Sequence, residues 1–415
     1  MSDPQREIEN LHRILDIARY MAVTNDLDVL LGTIVEATCE VLDCDRATIF
    51  LYDAQTDELY SRVAKGVDQI RFPADRGIAG AAAKQRRVVN VPDAYADQRF
   101  NPEVDKQTGY RTRNLLTFPL ENINGELIGV LQALNKTGRP FDADDEHLAL
   151  VLAAQAGVAL DRGRLLEEFA EKQRMARDLD IARQIQQDLF PKASPQVPGY
   201  EIAGWNRPAD ETGGDCYDFV PLPDGRVAIL LADATGHGIG AALVIAECRS
   251  LLRAMLSVTD DLQRIAASVN NLLVQDLSDD HFVTAFIGIL DPATHEIKYI
   301  AGGQGPLILV SPSGVESCRA TDPPFAVLPN HDFAKIARFK FTPNATLVLL
   351  TDGFYETANA EAELFGEDRV TAFVQRHSPL SLDTLIDQLY EATTQFSAGT
   401  PQADDLTAVL IRRNR

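Results

Sequence analysis

The stretch Val227-Ala228-Ile229-Leu230-Leu231-Ala232-Asp233-Ala234-Thr235-Gly236-His237-Gly238 decides the reading of this chain. Its six leading apolar residues have the unbroken character of a buried strand, and they deliver Asp233 to the strand end. The glycines around His237 then turn the chain tightly before a helix that begins near Ile239. A buried carboxylate with no adjacent cation is costly unless it holds a metal. The same grammar recurs where Thr346-Leu347-Val348-Leu349-Leu350-Thr351 runs into Asp352-Gly353. Gly213-Gly214-Asp215 and Asp404-Asp405-Leu406-Thr407 add two more clusters of the same kind. One strand-end Asp-Gly means little, because such turns are common. Four together, with no Lys or Arg beside the aspartates, are what a pair of hard divalent cations needs.

The chain has 415 residues, too many for one core, and two domains of roughly 150–220 residues are expected. With 45% hydrophobic and 24% charged residues it is ordinary globular material, neither disordered nor fibrous. A net charge of -22 argues against the nucleic-acid backbone or an anionic membrane as a partner. No run approaches the ~20 apolar residues of a bilayer span, and MSDPQREIEN lacks the layout of a signal peptide. The five cysteines (Cys39, Cys44, Cys216, Cys248, Cys318) include no CxxC pair, so a cytoplasmic location is expected. None has an Arg six residues downstream, which excludes the Cys-x5-Arg loop of covalent phosphatases.

Leu11, Leu15 and Ala18, then Leu27, Leu30, Leu31, Ile34, Val35 and Thr38, recur at helical spacing around a break at Thr24-Asn25-Asp26. Strands are expected at Ala47–Tyr52, Leu59–Val63, Leu115–Leu120 and Leu127–Leu134, the last two joined through an Asn124-Gly125 hairpin turn. A helix from about Asp144 to Phe169 closes this unit. Beyond it, Met175, Leu179, Ala182, Gln186 and Leu189 trace a weak coiled-coil seam, read as a parallel helix pair joining two subunits, with a single amphipathic helix packed on the next domain as the alternative. Pro191, Pro195 and Pro198 end the helix. From Tyr200 the period becomes that of a β-rich domain. Strands are expected at Glu201–Trp205, Val227–Ala232, Val283–Leu290, Glu296–Ala301, Leu307–Val310, Thr346–Thr351 and Leu406–Arg412. Helices are expected at Ile239–Leu256, Leu262–Leu277, Arg369–Gln375 and Leu382–Thr394.

The four acidic motifs resemble those of bacterial PPM (PP2C-like) serine phosphatases of the stage-II-sporulation and sigma-factor-regulator type. The similarity extends over roughly Asp178 to Arg415, where Ile181–Pro191 looks like the family's opening helix and Glu356 accompanies the third motif. It implies two Mn²⁺ or Mg²⁺ ions bridged by Asp233, one completed by Asp352 and Asp404, the other by Asp215 and the Ala234 carbonyl. Asp218 and Asp405 are implied as supporting or alternative ligands. Such cations supply activation of a water for in-line attack on phosphorus. Oxygen-only ligation disfavours zinc. His237 is read as structural, its imidazole bonding the backbone of a tight turn. Eukaryotic relatives carry a phosphate-binding Arg where this chain has Asp210; Arg207 is the candidate substitute.

Residues from about Asp26 to Leu160 resemble a GAF domain, a six-stranded α/β sensor fold, through Gly77-Ile78-Ala79-Gly80, Val91-Pro92-Asp93-Ala94-Tyr95 and Asp105-Lys106-Gln107-Thr108-Gly109-Tyr110. Asn135-Lys136, then Phe141, then Asp145-Glu146 give the Asn-Lys…Phe-x3-Asp-Glu pattern of GAF domains in phosphodiesterases and some cyanobacterial adenylate cyclases, which bind cyclic nucleotides. The resemblance implies a Lys136–Asp145 bridge that supports the pocket without touching cAMP or cGMP, with Phe141 packed beneath. Cys39 and Cys44 have no neighbouring His, which argues against a bilin.

The expected fold class is α+β with two domains: an N-terminal helix at 1–25, a GAF sensor at 26–162, a helical linker at 163–196, and a PPM-type β-sandwich flanked by helices at 197–415. The expected activity is a metal-dependent protein-serine/threonine phosphatase acting on a phosphoserine of an anti-anti-sigma (STAS) protein, as a dimer. The rival readings are a ligand-sensing pseudophosphatase and a nucleotide cyclase. The intact aspartates weigh against the first, and their spread over four motifs against the second.

Overall fold

Asp26 caps the second helix of the chain by accepting the N–H groups of Asp28 and Val29, which explains the break between α1 (Pro4–Val23) and α2 (Leu27–Leu42). The computed structural model describes residues 4–62, 70–278 and 280–414; Val63, the last residue of one expected strand, lies outside them. Chain contacts divide it into two units, Met1–Met175 and Ala176–Arg415.

In the first unit α2 buries Leu27, Leu30, Leu31, Ile34 and Thr38 as its spacing predicts, whereas Val35 is only partly buried and Val41 joins the core in addition. The α1 seam is displaced by one residue: Ile14 and Met21 are buried, whereas Leu15 is 61% exposed. Ile14, Ala18 and Met21 form an equally regular stripe; the side chain of Leu11 lies outside the described residues. Six strands follow, β1 (Cys44–Asp53), β2 (Glu58–Tyr60), β3 (Arg71–Pro73), β4 (Val89–Val91), β5 (Leu115–Glu121) and β6 (Leu127–Lys136), in the order β3-β2-β1-β6-β5-β4 with every neighbour antiparallel. One core cluster joins α1, α2 and the start of α5 (Ala143–Leu189) to the sheet. A second packs α3 (Gly77–Gln85) against it, and α4 (Glu103–Thr108) lies between β4 and β5 in sequence. The helix expected to close the unit near Phe169 continues without interruption as α5, 47 residues in all.

The second unit stacks two five-stranded antiparallel sheets. One has the order β14-β11-β10-β9-β8, the other β13-β12-β15-β16-β7. Their strands are β7 (Tyr200–Arg207), β8 (Asp215–Pro221), β9 (Val227–Ala234), β10 (Val283–Asp291), β11 (Glu296–Gly302), β12 (Leu307–Ser311), β13 (Gly314–Cys318), β14 (Ala337–Lys340), β15 (Thr346–Leu350) and β16 (Leu406–Arg413). Helices α6 (Gly238–Leu256) and α7 (Leu262–Asp276) cover one outer face. On the other lie α8 (Asp352–Glu356), α9 (Gly366–Arg376) and α10 (Leu382–Ser397). The apolar runs are unbroken because both faces of each central strand are covered. In β9, Val227, Ile229 and Leu231 face the sandwich interior while Ala228, Leu230 and Ala232 face α6 and α7. In β15, Leu347 and Leu349 point inward while Val348 and Leu350 meet α9 and α10.

The expected helix-pair seam is spent differently near its end. Gln186 donates to the Gly213 carbonyl at 2.6 Å and accepts the Gly213 N–H at 3.0 Å, and Phe190 packs on Tyr217. Gln186 of the seam, and Phe190 just beyond it, therefore bind their own domain, while Met175 remains 62% exposed. No helix among the described residues is long and apolar enough to cross a membrane.

Candidate metal centre and catalytic site

Four strand ends assemble the acidic cluster. Asp215 opens β8 and is the register partner of Asp233 on β9. In the other sheet Asp352 follows β15 and Asp404 precedes β16, and those two strands are paired. Threonines tie the sheets together at this end. Thr351 and Thr407 both donate their hydroxyls to Asp215 Oδ2, at 2.7 and 2.6 Å. Thr351 N–H in turn bonds the Thr407 carbonyl at 3.0 Å. Asp215 is buried, Asp233 and Asp404 are half-buried and Asp352 is exposed, so the cluster runs from a closed floor to an open rim.

Among the leading influences on Asp215, Asp233 and Asp352, every charge is negative. Burial pushes the Asp215 carboxyl well above the usual range, with Asp405 and Asp404 adding to it against the hydrogen bonds from Thr407 and Thr351. Burial does the same to Asp233, followed by the charges of Asp215, Asp352 and Asp404. Asp352 is raised by desolvation and then by Asp404 and Glu356. Carboxylates that repel one another with no cation to offset them make a strong negative potential. Among the described residues, no three His, Cys, Asp or Glu side chains close around one point tightly enough to hold an ion by themselves. The Asp215–Asp233 register pair, the pairing of β15 with β16 and the Thr351 and Thr407 hydroxyls on Asp215 nevertheless bring the aspartates to one end of the sandwich, and an open oxygen-only cluster suits Mg²⁺, which uses one or two carboxylates and keeps several waters. The donor set therefore fits hard divalent cations.

Neighbouring residues depart from expectation in informative ways. Asp405 accepts the Ala209 N–H on Oδ1 at 2.7 Å and the Gly214 N–H on Oδ2. The two oxygens pin the loop at Ala209 and at Gly214, so the role of Asp405 here is to shape the segment that leads into Asp215. Gly213 must be glycine, because a Cβ would stand 2.5 Å from Asp405 Oδ2; at Gly353 it would stand 2.2 Å from the Asp405 carbonyl oxygen. Asp218 is not at the centre. Three residues along β8 from Asp215, it faces the α6 layer, where Arg249 and Arg253 bind it at 2.9 and 2.6 Å. Ala234 ends β9 next to Asp233, its N–H bonded to the Gly214 carbonyl at 2.9 Å. His237 bonds a carboxylate rather than backbone: its Nδ1 lies 2.8 Å from Asp210 Oδ2, and its side chain is 74% exposed. Gly236 and Gly238, at φ 89° and 76°, make the turn.

A cavity of about 370 Å³ opens beside Asp404 and Gly353, lined also by Arg207, Glu356, Tyr390 and Thr394. The Arg207 guanidinium lies 4.9 Å from the Tyr390 ring centroid. Arg207 and Glu356 are legible as candidates in the sequence, whereas Tyr390 and the hydroxyls of α10 carry no signal there.

In the GAF unit Lys136 Nζ reaches Asp145 Oδ1 at 2.8 Å and the Leu42 carbonyl at 2.9 Å, with both side chains almost fully enclosed. Arg139 and the Asp142 N–H hold the other Asp145 oxygen at 2.9 and 3.0 Å. Asn135, at φ 59°, accepts the Arg113 N–H and donates to Tyr110 Oη and the Arg111 carbonyl. Phe141 is buried in the core, and Asn90 donates to both its carbonyl and Glu146. The motif is thus a structural lock between β6 and the start of α5. Asn90, Arg139 and Arg113 belong to it and were not legible, being scattered and unremarkable in sequence.

Residues 223–414 match the stage II sporulation protein E family, and residues 26–160 match the GAF domain. The first match begins downstream of Asp215 and includes Asp233, Asp352 and Asp404. Protein IcfG of Synechocystis sp. (strain ATCC 27184 / PCC 6803 / Kazusa) is 27% identical over 265 residues, 57% of this chain and 42% of that protein. The dual 3',5'-cyclic-AMP and -GMP phosphodiesterase 11A of Takifugu rubripes is 34% identical over 186 residues, 40% of this chain and 20% of that protein. The chain thus spans less than half the length of these relatives. The SiaA-PP2C domain of Pseudomonas aeruginosa superposes with a TM-score of 0.52 at 20% identity, covering 59% of this chain and 99% of that one, a likeness of fold. The chain therefore joins a GAF domain similar to those of phosphodiesterases to a PP2C-type serine phosphatase domain of the stage II sporulation protein E family.

Proposed function

We propose that the chain is a cytoplasmic, Mn²⁺- or Mg²⁺-dependent protein-serine/threonine phosphatase that removes phosphate from a phosphoserine on a regulatory partner, an anti-anti-sigma protein of the STAS type. The observation that carries this reading is the convergence of Asp215, Asp233, Asp352 and Asp404 from both sheets into one uncompensated negative cluster. Asp215, Asp233, Asp352, Asp404 and the Ala234 carbonyl would hold two cations, which supply activation of water and neutralisation of phosphate charge. Asp215 orients through its two threonine donors, Asp405 fixes the turn beneath it, and the cavity beside Asp404 receives the substrate segment. Arg207 at that wall binds the phosphate or its flanking backbone.

The N-terminal domain is read as a cAMP or cGMP sensor, supported by the phosphodiesterase-like motif and the 34% identity. Ligand bound near Lys136 and Phe141 would act through the start of α5, and the chain would work as a homodimer. Phosphate release from a phosphorylated STAS protein, with and without each cyclic nucleotide, tests the whole reading. Turnover responsive to one nucleotide is expected. Turnover indifferent to both rejects the sensor assignment alone, and absent turnover with either Mn²⁺ or Mg²⁺ leaves a ligand-sensing binding module. Arg207→Ala should raise KM for the phosphoprotein while leaving that for a small aryl phosphate nearly unchanged.

A further inference from the structure

A chain of hydrogen bonds leads from Asp215 to an asparagine that belongs to none of the acidic motifs. Asn206 lies on β7 directly opposite Thr407 of β16. Its Nδ2 donates to Thr407 Oγ1 at 2.8 Å, and that hydroxyl donates to Asp215 Oδ2 at 2.6 Å. Thr351 makes a second route to the same oxygen. Its hydroxyl accepts the Thr407 N–H at 3.0 Å and donates to Asp215 Oδ2 at 2.7 Å. Asp215, Thr351 and Thr407 are buried, and Asn206 is half-buried on the edge strand of its sheet.

Counting protons gives these bonds a direction. A hydroxyl has one proton to donate and accepts with its lone pairs, whereas an amide N–H only donates. At Thr351 the backbone N–H of Thr407 takes an acceptor position, so the single hydroxyl proton is left for Asp215. At Thr407 the side-chain amide of Asn206 does the same. Were that amide turned the other way, its carbonyl oxygen would compete with Asp215 for the one proton. The donor on Asn206 therefore decides where the Thr407 proton points. Both threonines hold Oδ2, and together they fix how the carboxylate is turned.

We propose that Asn206 is a positioning residue of the metal centre: its amide commits the Thr407 hydroxyl to Asp215 and so presents that carboxylate to the cation. That role rests on the proposed reading of Asp215 as a ligand of Mg²⁺ or Mn²⁺. Groups that hydrogen-bond a ligand from behind set its orientation and are felt in metal affinity. Asn206 stands one bond further out, so its effect passes through Thr407. Its side chain lines a cavity of about 290 Å³ together with Gln186, Trp205 and Tyr217. Replacing it alters a cavity wall and leaves the apolar interior of the sandwich in place.

The test is a cycle of four full-length chains, stripped of metal and titrated calorimetrically with Mg²⁺ and with Mn²⁺: unsubstituted, Asn206→Leu, Thr407→Val, and the two together. Circular dichroism of each metal-free chain verifies that it is folded. Asn206→Leu, similar in shape but without the donor, is expected to weaken binding about 10-fold, the lower end of the usual range for outer groups of this kind. In the Thr407→Val background the same change should cost nothing more, because the hydroxyl it acts on is gone. A purely structural role would instead lower affinity by the same factor in both backgrounds, and that result would overturn the proposal. So would weak binding by Thr407→Val beside unaltered binding by Asn206→Leu, which leaves the assignment of Asp215 standing. Unaltered binding by both single variants would remove Asp215 from the metal set and the proposal with it. Should Asn206→Leu fold poorly, Asn206→Ala, which only widens the cavity, goes through the same cycle with the same expected results.

Discussion

Asp215 and Asp233 face each other as register partners across β8 and β9, and the hydroxyls of Thr351 and Thr407 reach Asp215 from the opposite sheet. The closed end of the sandwich is therefore held by hydrogen bonds to a carboxylate that its own acidic neighbours destabilise. Thr407→Val, close in shape but without the donor, is expected to weaken Mg²⁺ or Mn²⁺ binding by about 10–100-fold, the usual effect of losing a group that orients a ligand. Calorimetric titration of the metal checks this, and unchanged affinity would remove Asp215 from the metal set.

Asp405 serves the loop, and its loss should be felt in stability. Asp405→Ala leaves the N–H groups of Ala209 and Gly214 without their acceptor, at a cost of about 1–3 kcal/mol each. Asp405→Asn keeps one acceptor oxygen and should lie between. Urea denaturation followed by the fluorescence of Trp205, in β7 of the second unit, gives the comparison.

The raised carboxyls set a pH dependence. Asp215 and Asp233 titrate above the unfolded-state value of about 3.9. Their contribution is thus fully present below that value and is lost as pH rises through the raised folded values. The metal-free second unit should lose thermal stability from mildly acid toward alkaline pH. Mg²⁺, which binds only the folded cluster and competes with protons there, should raise the melting temperature more at pH 8 than at pH 6. A Mg²⁺ shift independent of pH would contradict this.

Lys136 and Asp145 form an enclosed ion pair 2.8 Å apart. Lys136→Met should destabilise the first unit by about 3–5 kcal/mol, because it leaves a buried charge with fewer partners. Lys136→Met combined with Asp145→Leu should recover part of that loss. Chemical denaturation of the single and double variants measures the difference.

The sequence revealed the centre of each domain better than its margins. β9, β15 and β16 were plain because strands covered on both faces read as continuous apolar runs. β8 was not, because Asp215, Cys216 and Asp218 interrupt its apolar pattern with side chains whose partners lie far away in sequence. The four aspartates were legible from their shared strand-end setting. The duties of Asp405 and Asp218 were not, since spacing alone cannot tell a carboxylate facing a metal site from one accepting backbone N–H groups or one paired with Arg249 and Arg253. α1 shows the same limit: two stripes one residue apart fit the helical period, and only the core chooses Ile14 over Leu15.

The most direct test of the account is phosphate release by the full chain and by Asp233→Asn, each with Mn²⁺ or Mg²⁺ at saturation and each shown by circular dichroism to be folded. Metal-dependent turnover is expected of the first, with a loss of about 10²-fold or more in the second. Turnover by the folded Asp233→Asn protein at the rate of the unaltered chain would contradict it.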